Sequence, residues 1–184
     1  IYLKNMKLSK IGLILKKVPG TIVLVIIAFV VSAWTGSLWN SASGSGLIEK
    51  YGYGIPAFAQ SEWWTIFTGA FIPPEPWMMI VIVLGLIVGC GLIEYFYGTL
   101  KMLAVILFTH ILSILITALI LVIFREFSID WAIQLARVRD VGISNAAFGA
   151  MGAASAALPI MWRSRFRLIV LIYCVTLLLY SGVI

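Results

Sequence analysis

The sequence predicts an all-α membrane protein: a polytopic helical bundle of about five transmembrane helices with an interfacial loop. Of its 184 residues, 62% are hydrophobic and 11% are charged, whereas soluble domains contain about 45–50% apolar and about 25% charged residues. The apolar residues form several separate runs, each close to the ~20 residues that cross about 30 Å of hydrocarbon. Soluble fold classes are therefore excluded.

Five runs define the predicted spans, at about 19–39, 77–97, 101–124, 141–162 and 168–184. The first is too long for the apolar region of a signal peptide, so we expect it to be retained. Prolines between 73 and 76 forbid a continuous helix before the second. Three arginines between 163 and 167 separate the fourth from the fifth. We expect one domain over residues 1–184, belonging to a longer protein.

Residues 40–76 form the predicted interfacial loop between the first two spans. The loop begins with a short Ser- and Gly-rich stretch and continues into an aromatic segment that contains Trp63, Trp64 and Phe67. Aromatic side chains of this kind settle at membrane–water interfaces.

The distribution of charge predicts the orientation. Nine of the 13 Lys and Arg residues fall on the N-terminal side of the predicted spans and four on the other. The positive-inside rule then gives a multi-pass plasma-membrane (inner-membrane) protein with a cytoplasmic N-terminus. Because topology explains the net charge of +6, we expect no nucleic-acid partner. Cys90 and Cys174 both lie in apolar runs, so no metal site or cofactor is expected.

The fourth span consists largely of Gly, Ala and Ser. In lipid, small residues let helix backbones approach closely. The glycines expected to form such packing faces are Gly85, Gly89, Gly142, Gly149 and Gly152.

Three segments carry a family resemblance. They are the aromatic stretch 63–71, the Gly-x-x-Glu-x-x-x-Gly pattern of 91–98, and the sequence 142–145 with Gly152 eight residues after Ser144. Together they resemble the rhomboid family of intramembrane serine proteases. The resemblance implies a rhomboid-like fold, in which Ser144 takes the place of the nucleophile.

Departures from the family pattern concern catalysis. The positions that supply oxyanion-stabilising side chains in rhomboid proteases are Met78 and Ile82 here, and a loop histidine is replaced by Pro73. Asn145 stands where the family has Gly after the nucleophile. The resemblance implies a catalytic histidine on a sixth span, beyond Ile184. We therefore expect a pseudoprotease.

His110 is the single histidine, so it is the only side chain of its type that could replace the missing base. At about 1.5 Å per residue it lies about 13 Å from one membrane surface, whereas Ser144 lies about 5 Å below the other, a difference in depth of about 10 Å. A base must instead lie within about 3 Å of its nucleophile. His110 shares a helical face with Ser113 and Thr117. A packed neutral histidine is favoured over a proton relay, the alternative for an intramembrane ionisable group.

The remaining polar residues have structural interpretations. Ser144 fits a tight helix crossing better than a nucleophile, since an unactivated serine is a poor one. Glu94 is expected to be a hydrogen-bonding carboxylate near the cytoplasmic interface. A basic belt there enforces topology and meets anionic phospholipid headgroups. Its members are Lys16, Lys17, Arg163, Arg165 and Arg167.

A second resemblance concerns function. The lysine-rich start is followed by segments that are similar to the rhomboid-like N-terminal membrane region of bacterial aminoacyl-lipid synthases of the lysyl-phosphatidylglycerol type. These segments are 17–21, 51–57, 63–65, 140–144 and 179–182. In that family a cytoplasmic acyltransferase-like domain moves an amino acid from aminoacyl-tRNA to a lipid. The resemblance implies a C-terminal enzymatic domain or a partner chain.

Three functions were compared. The favoured one is a non-proteolytic rhomboid-like module that anchors a lipid-modifying enzyme or supplies its lipid. The alternative is an intramembrane serine protease with Ser144 as nucleophile and the base beyond Ile184. A transporter or channel ranks last, because it would need paired charges or broken helices at mid-membrane.

Overall fold

A computed structural model describes the backbone of residues 12–180 and the side chains of residues 12–176. This part of the chain is helical and contains no strand, so the predicted all-α class is confirmed. Its helices are α1 (Pro19–Thr35), α2 (Leu47–Tyr51), α3 (Ile55–Ala59), α4 (Thr65–Thr68), α5 (Met78–Tyr97), α6 (Thr99–Glu126), α7 (Asp130–Leu135), α8 (Ser144–Ala154) and α9 (Ile160–Tyr180). The lysines before residue 12, residues 181 and 182 of the closing motif, and the end of the predicted fifth span lie outside the described residues.

Two helices are long and apolar enough to cross a membrane. They are α5, with 20 residues and a mean hydropathy of 2.4, and α6, with 28 residues and a mean hydropathy of 2.7. Helix α1 is also apolar but has 17 residues. These lengths agree with a membrane protein.

Local sequence explains where α1 begins and ends. Proline in the first turn of α1 suits a position whose N–H needs no helical partner. Gly36 ends α1 in the left-handed conformation, with φ +78°, four residues before the predicted boundary. A π-helical turn, Leu86–Cys90, lies within α5 on the side that meets α8.

The predicted helix over 141–162 is wrong. Helix α8 covers 11 residues and is followed by a 3₁₀ turn, Ser155–Ala157. Pro159 has no N–H to continue the helix, and it favours the extended conformation that Leu158 adopts. The chain therefore breaks before Ile160, and the arginines at 163–167 lie inside α9 instead of separating two helices.

The core forms where α8 lies against α5 and α6. A Cβ atom on Gly85 would be 2.9 Å from the Cβ of Ala147, and one on Gly89 would be 2.9 Å from the carbonyl oxygen of Ala147. Such atoms have no room, so both glycines let α8 approach the backbone of α5, at Gly85 through the Ala147 side chain and at Gly89 through the Ala147 backbone. Buried side chains from α8 that complete this contact are Ala146, Ala150 and Ala154.

The loop between α1 and α5 is fastened to the segment before α8. Tyr53 and Asp140 exchange two backbone hydrogen bonds, of 2.9 and 2.8 Å. The Gly142 N–H donates to the carbonyl of Gly69 at 2.8 Å. The Arg139 guanidinium also donates to the Glu62 carboxylate at 2.7 Å. These contacts fix the loop over one end of the bundle.

Alanine substitutions at two glycines of α8 test the close contact with α6. A Cβ on Gly149 would lie 2.6 Å from the Cβ of Thr109, whereas one on Gly152 would meet nothing within 4 Å. We expect Gly149→Ala to destabilise by about 1–3 kcal/mol through overpacking, and Gly152→Ala to be neutral or stabilising by up to about 1 kcal/mol. Thermal unfolding in detergent measures both, and equal midpoints for the two variants would contradict the packing argument.

A buried polar centre as the candidate functional site

His110 lies at the middle of a polar centre inside the apolar bundle. The residue is 4% exposed and projects from the middle of α6. Its Nδ1 is 3.0 Å from the side-chain oxygen of Asn145 in α8, and its Nε2 is 2.8 Å from the main-chain oxygen of Ile66 in α4. One imidazole therefore joins three separate elements.

Asn145 and Ser113 complete the centre. The Asn145 amide nitrogen donates to the Ser113 hydroxyl at 2.7 Å, and that hydroxyl donates to the carbonyl of His110 at 2.9 Å. The Asn145 oxygen also accepts from the Ala146 N–H at 2.7 Å. A reversed amide would place two donors face to face there, so this contact fixes the orientation of the side chain.

Both ring nitrogens of His110 thus face oxygen acceptors. A neutral imidazole has one N–H and can donate to one of them, whereas the doubly protonated ring donates to both. In either state both ring nitrogens are directed at these two oxygens and not at the Ser144 hydroxyl, so the ring is not placed to take a proton from it. The arrangement suits a structural clamp and is unsuited to general base catalysis.

Tyr53 and Asp140 flank the centre from the loop side. The Tyr53 ring meets the His110 ring edge-on at 5.7 Å, and its hydroxyl donates to the carbonyl of Gly142 at 2.8 Å. Burial, and then the nearby charge of Asp140, raise the pKa of the Tyr53 hydroxyl well above its ordinary value. The phenol therefore keeps its proton and remains a donor.

Sequence reasoning missed these neighbours of His110. Tyr53 belongs to a Tyr-Gly-Tyr-Gly pattern and Asp140 directly precedes the small-residue segment. Gly52 explains the pattern, because a Cβ there would collide with the carbonyl oxygen of Ile48. A glycine at this position therefore indicates, from the sequence alone, that two backbone segments approach closely there. Thr117, which was expected to extend the polar face, is exposed and outside the network.

Ser144 lies beside this centre but is not joined to it. Its side chain has no hydrogen-bond partner among the described residues, and it lines a cavity of about 300 Å³ together with Met78, Ile82 and Tyr173. The predicted difference in depth from His110 is wrong, because His110 contacts Asn145, the next residue along the chain. Helix α8 starts beside the middle of α6, level with His110. Among the described residues, His110 does not serve Ser144 as a base in this arrangement, because its nitrogens are directed at Asn145 and at the Ile66 carbonyl.

Glu94 forms a second polar cluster at the opposite end of the bundle. The residue is 2% exposed. Its carboxylate accepts the N–H groups of Gly20 and Thr21, each at 2.7 Å, and the hydroxyls of Thr21 and Thr99, at 2.8 and 2.6 Å. A carboxylate at this position satisfies the free N–H groups that begin α1 and complements the helix dipole. Its geometry is that of a helix cap.

The predicted basic belt has several distinct roles. Arg163 donates to the carbonyl of Ala156 at 2.9 Å, and Arg167 donates to the Ser155 hydroxyl at 2.8 Å, so both hold the turn that follows α8. The guanidinium of Arg165 stacks on Trp162, 5.4 Å from the ring centroid. On another part of the bundle, the Lys17 ammonium lies 4.6 Å from the centroid of Tyr95, and Lys16 is exposed.

Comparison with protein-family models, curated proteins and solved structures finds no match to this chain. Within the part of the chain that the structure describes, no group of three or more His, Cys, Asp or Glu side chains could hold a metal ion.

Removing the Asn145 amide tests the clamp. Asn145→Ala leaves the His110 Nδ1 without its side-chain partner and the Ser113 hydroxyl without the donor it accepts from, so we expect the free energy of unfolding to fall by about 1–3 kcal/mol. Thr117→Ala is the control, since Thr117 lies on α6 two turns beyond His110 and outside the network. The two variants are compared by their unfolding midpoints in detergent. If Thr117→Ala lowered the midpoint as much as Asn145→Ala, the hydrogen-bond network would not contribute to stability.

An isosteric change tests the helix cap. In Glu94→Gln an amide nitrogen replaces one of two oxygens that each accept two hydrogen bonds. The new amide N–H groups then face the N–H and O–H donors that the carboxylate accepted from. We expect the free energy of unfolding to fall by about 1–3 kcal/mol, although the shape of the side chain is unchanged. Glu126→Gln is the matched control, because Glu126 is exposed and contacts Arg125 at 3.4 Å, where a surface pair contributes about 0–1 kcal/mol. Chemical unfolding of the two variants distinguishes the roles.

Proposed function

We propose that this chain is a non-proteolytic, rhomboid-like membrane module. In this proposal it crosses the plasma membrane five times with its N-terminus in the cytoplasm. It anchors an enzyme of the aminoacyl-phospholipid synthase type, or supplies that enzyme with lipid. The catalytic domain is a C-terminal continuation or a partner chain.

The state of Ser144 carries the non-proteolytic part of the proposal. Serine attacks a carbonyl only when a neighbouring base removes its proton. The nearest candidate, His110, directs its two nitrogens to Asn145 and to the Ile66 carbonyl. The cavity wall opposite Ser144 contains Met78 and Ile82, which offer no donors to a developing oxyanion.

The outer surface of the helices supports placement in a membrane. Large apolar side chains of α6 point away from the rest of the molecule, among them Leu107, Phe108, Ile116 and Leu119. A contiguous exposed apolar surface of this extent is typical of contact with a membrane or a partner. Because it extends along a helix of 28 residues, lipid explains it with the fewest assumptions.

One groove supports a role for anionic phospholipids. It has a volume of about 650 Å³ and is lined by apolar residues of α1, α5 and the segment 14–18. Tyr95 lines it, and the ammonium of Lys17 lies over the Tyr95 ring. An acyl chain in the groove would therefore bring an anionic headgroup to Lys17, a residue of the predicted basic belt.

One observation favours the alternative of a serine protease. The Ser144 side chain is exposed to a cavity and makes no internal hydrogen bond among the described residues. A base supplied from outside residues 1–184 could reach it through that cavity.

A covalent probe distinguishes these functions. We expect a fluorophosphonate to leave the detergent-purified chain unlabelled, because its serine is not activated. The same incubation with Ser144→Ala is the control, and mass spectrometry of the intact protein counts the adducts. Stoichiometric labelling that disappears in Ser144→Ala would overturn the proposal. Labelling confined to a longer form of the protein would show that the base lies outside this chain.

A further inference from the structure

A crevice runs along α5 between α8 and α9. It consists of the cavity beside Ser144, of about 300 Å³, and an adjoining space of about 340 Å³. The two share Val81, Ser144, Phe148 and Tyr173 in their linings, so they lie side by side along the same helices. The crevice exists because α9 packs chiefly on α8 and on the turn 155–157 and leaves a gap beside α5.

The dimensions of this crevice match one acyl chain. Along α5 it extends from Trp77 to Val88, which corresponds to roughly 16 Å at about 1.5 Å per residue. That is about half of a hydrocarbon core of about 30 Å, the depth of one leaflet. The inner part has an apolar lining that includes Leu84, Ala147 and Val170.

The end of the crevice near the loop is polar and acidic, unlike its apolar inner part. Asp140 lines it together with Ser144 and Trp77. One Asp140 oxygen accepts the Val141 N–H at 2.8 Å, and the carboxylate forms no ion pair with any described side chain. Trp77 is 61% exposed, so one face of its indole is available at the mouth. An acidic, aromatic mouth on an apolar crevice complements a cation that carries a hydrocarbon chain.

We propose that the crevice binds one membrane phospholipid with a primary ammonium headgroup, its ammonium on Asp140 and one acyl chain between α5 and α9. This inference rests on the membrane placement in the proposed function and names the lipid class. It does not depend on the absence of proteolysis.

The charges and donors near the mouth favour a primary ammonium over the other common headgroups. An anionic headgroup would face the Asp140 carboxylate. The Arg139 guanidinium, the neighbouring cation, is already occupied by Glu62 at 2.7 Å and Gln60 at 2.8 Å, so it does not offer a phosphate site. A quaternary ammonium has no N–H to donate, whereas a primary ammonium has three. The Ser144 hydroxyl is free to donate to the adjacent phosphate or ester oxygen.

Native mass spectrometry of the detergent-purified chain tests the assignment. The probes are phosphatidylethanolamine, phosphatidylcholine and phosphatidylglycerol of identical acyl chains, each added in turn. We expect phosphatidylethanolamine to bind most tightly and Asp140→Asn to weaken it about tenfold, as for loss of a hydrogen bond to a charged group. Glu126→Gln removes an exposed acid outside the crevice and should bind as the parent does.

A steric pair of variants tests the location. Val81 lines both parts of the crevice, whereas its neighbour Ile80 is 66% exposed on the outer face of α5. We expect Val81→Trp to abolish the preference for phosphatidylethanolamine and Ile80→Trp to retain it. Equal binding of the three lipids by the parent chain, or a preference that survives both Asp140→Asn and Val81→Trp, would overturn this inference. Neither result bears on Ser144, whose labelling decides the proposed function separately.

Discussion

The close approach of α8 to α5 and α6 is the constraint on which the rest of the structure depends. In lipid there is no hydrophobic drive between helices, so cohesion comes from dispersion contacts and interhelical hydrogen bonds. Dispersion contacts and short interhelical hydrogen bonds are both strongest where helix backbones approach closely. Gly89 meets the Ala147 carbonyl, and Gly149 meets the side chain of Thr109. A larger residue at either position would separate the helices and weaken every contact across them.

This approach also creates the polar centre. Because α8 is so near α6, the short side chain of Asn145 reaches His110, and His110 extends on to the Ile66 carbonyl. The loop before α5 is thereby tied to the bundle interior. Polar groups so far from water are costly unless paired, and here the imidazole, amide and hydroxyl satisfy one another. The same pairing removes the imidazole from chemistry at Ser144.

The proposed function rests on two polar side chains that line a cavity. Ser144 and Asp140 are both on the cavity between α5, α8 and α9. Among the described residues, no base is directed at Ser144 and no cation pairs with Asp140. Together with the apolar crevice, these two groups form the surface on which the proposed lipid site rests. The proposed lipid binding and the proposed lack of proteolysis would then have one origin, since the helix that presents Ser144 also holds His110 through Asn145.

The sequence by itself determined the helical class and the extents of α5 and α6, because long apolar runs leave the backbone no other means of satisfying its hydrogen bonds in lipid. It also indicated that Gly85 and Gly89 belong to a packing face. Only the tertiary structure decided the partners of His110, which lie 44 and 35 residues away in the chain. Pro159 is the sequence signal for the break before Ile160, whereas the arginines at 163–167 lie inside α9. The depth of Ser144 could not be found by counting residues from the end of the predicted span. The segment before α8 is irregular, and its path is set by contacts with Tyr53 and Gly69.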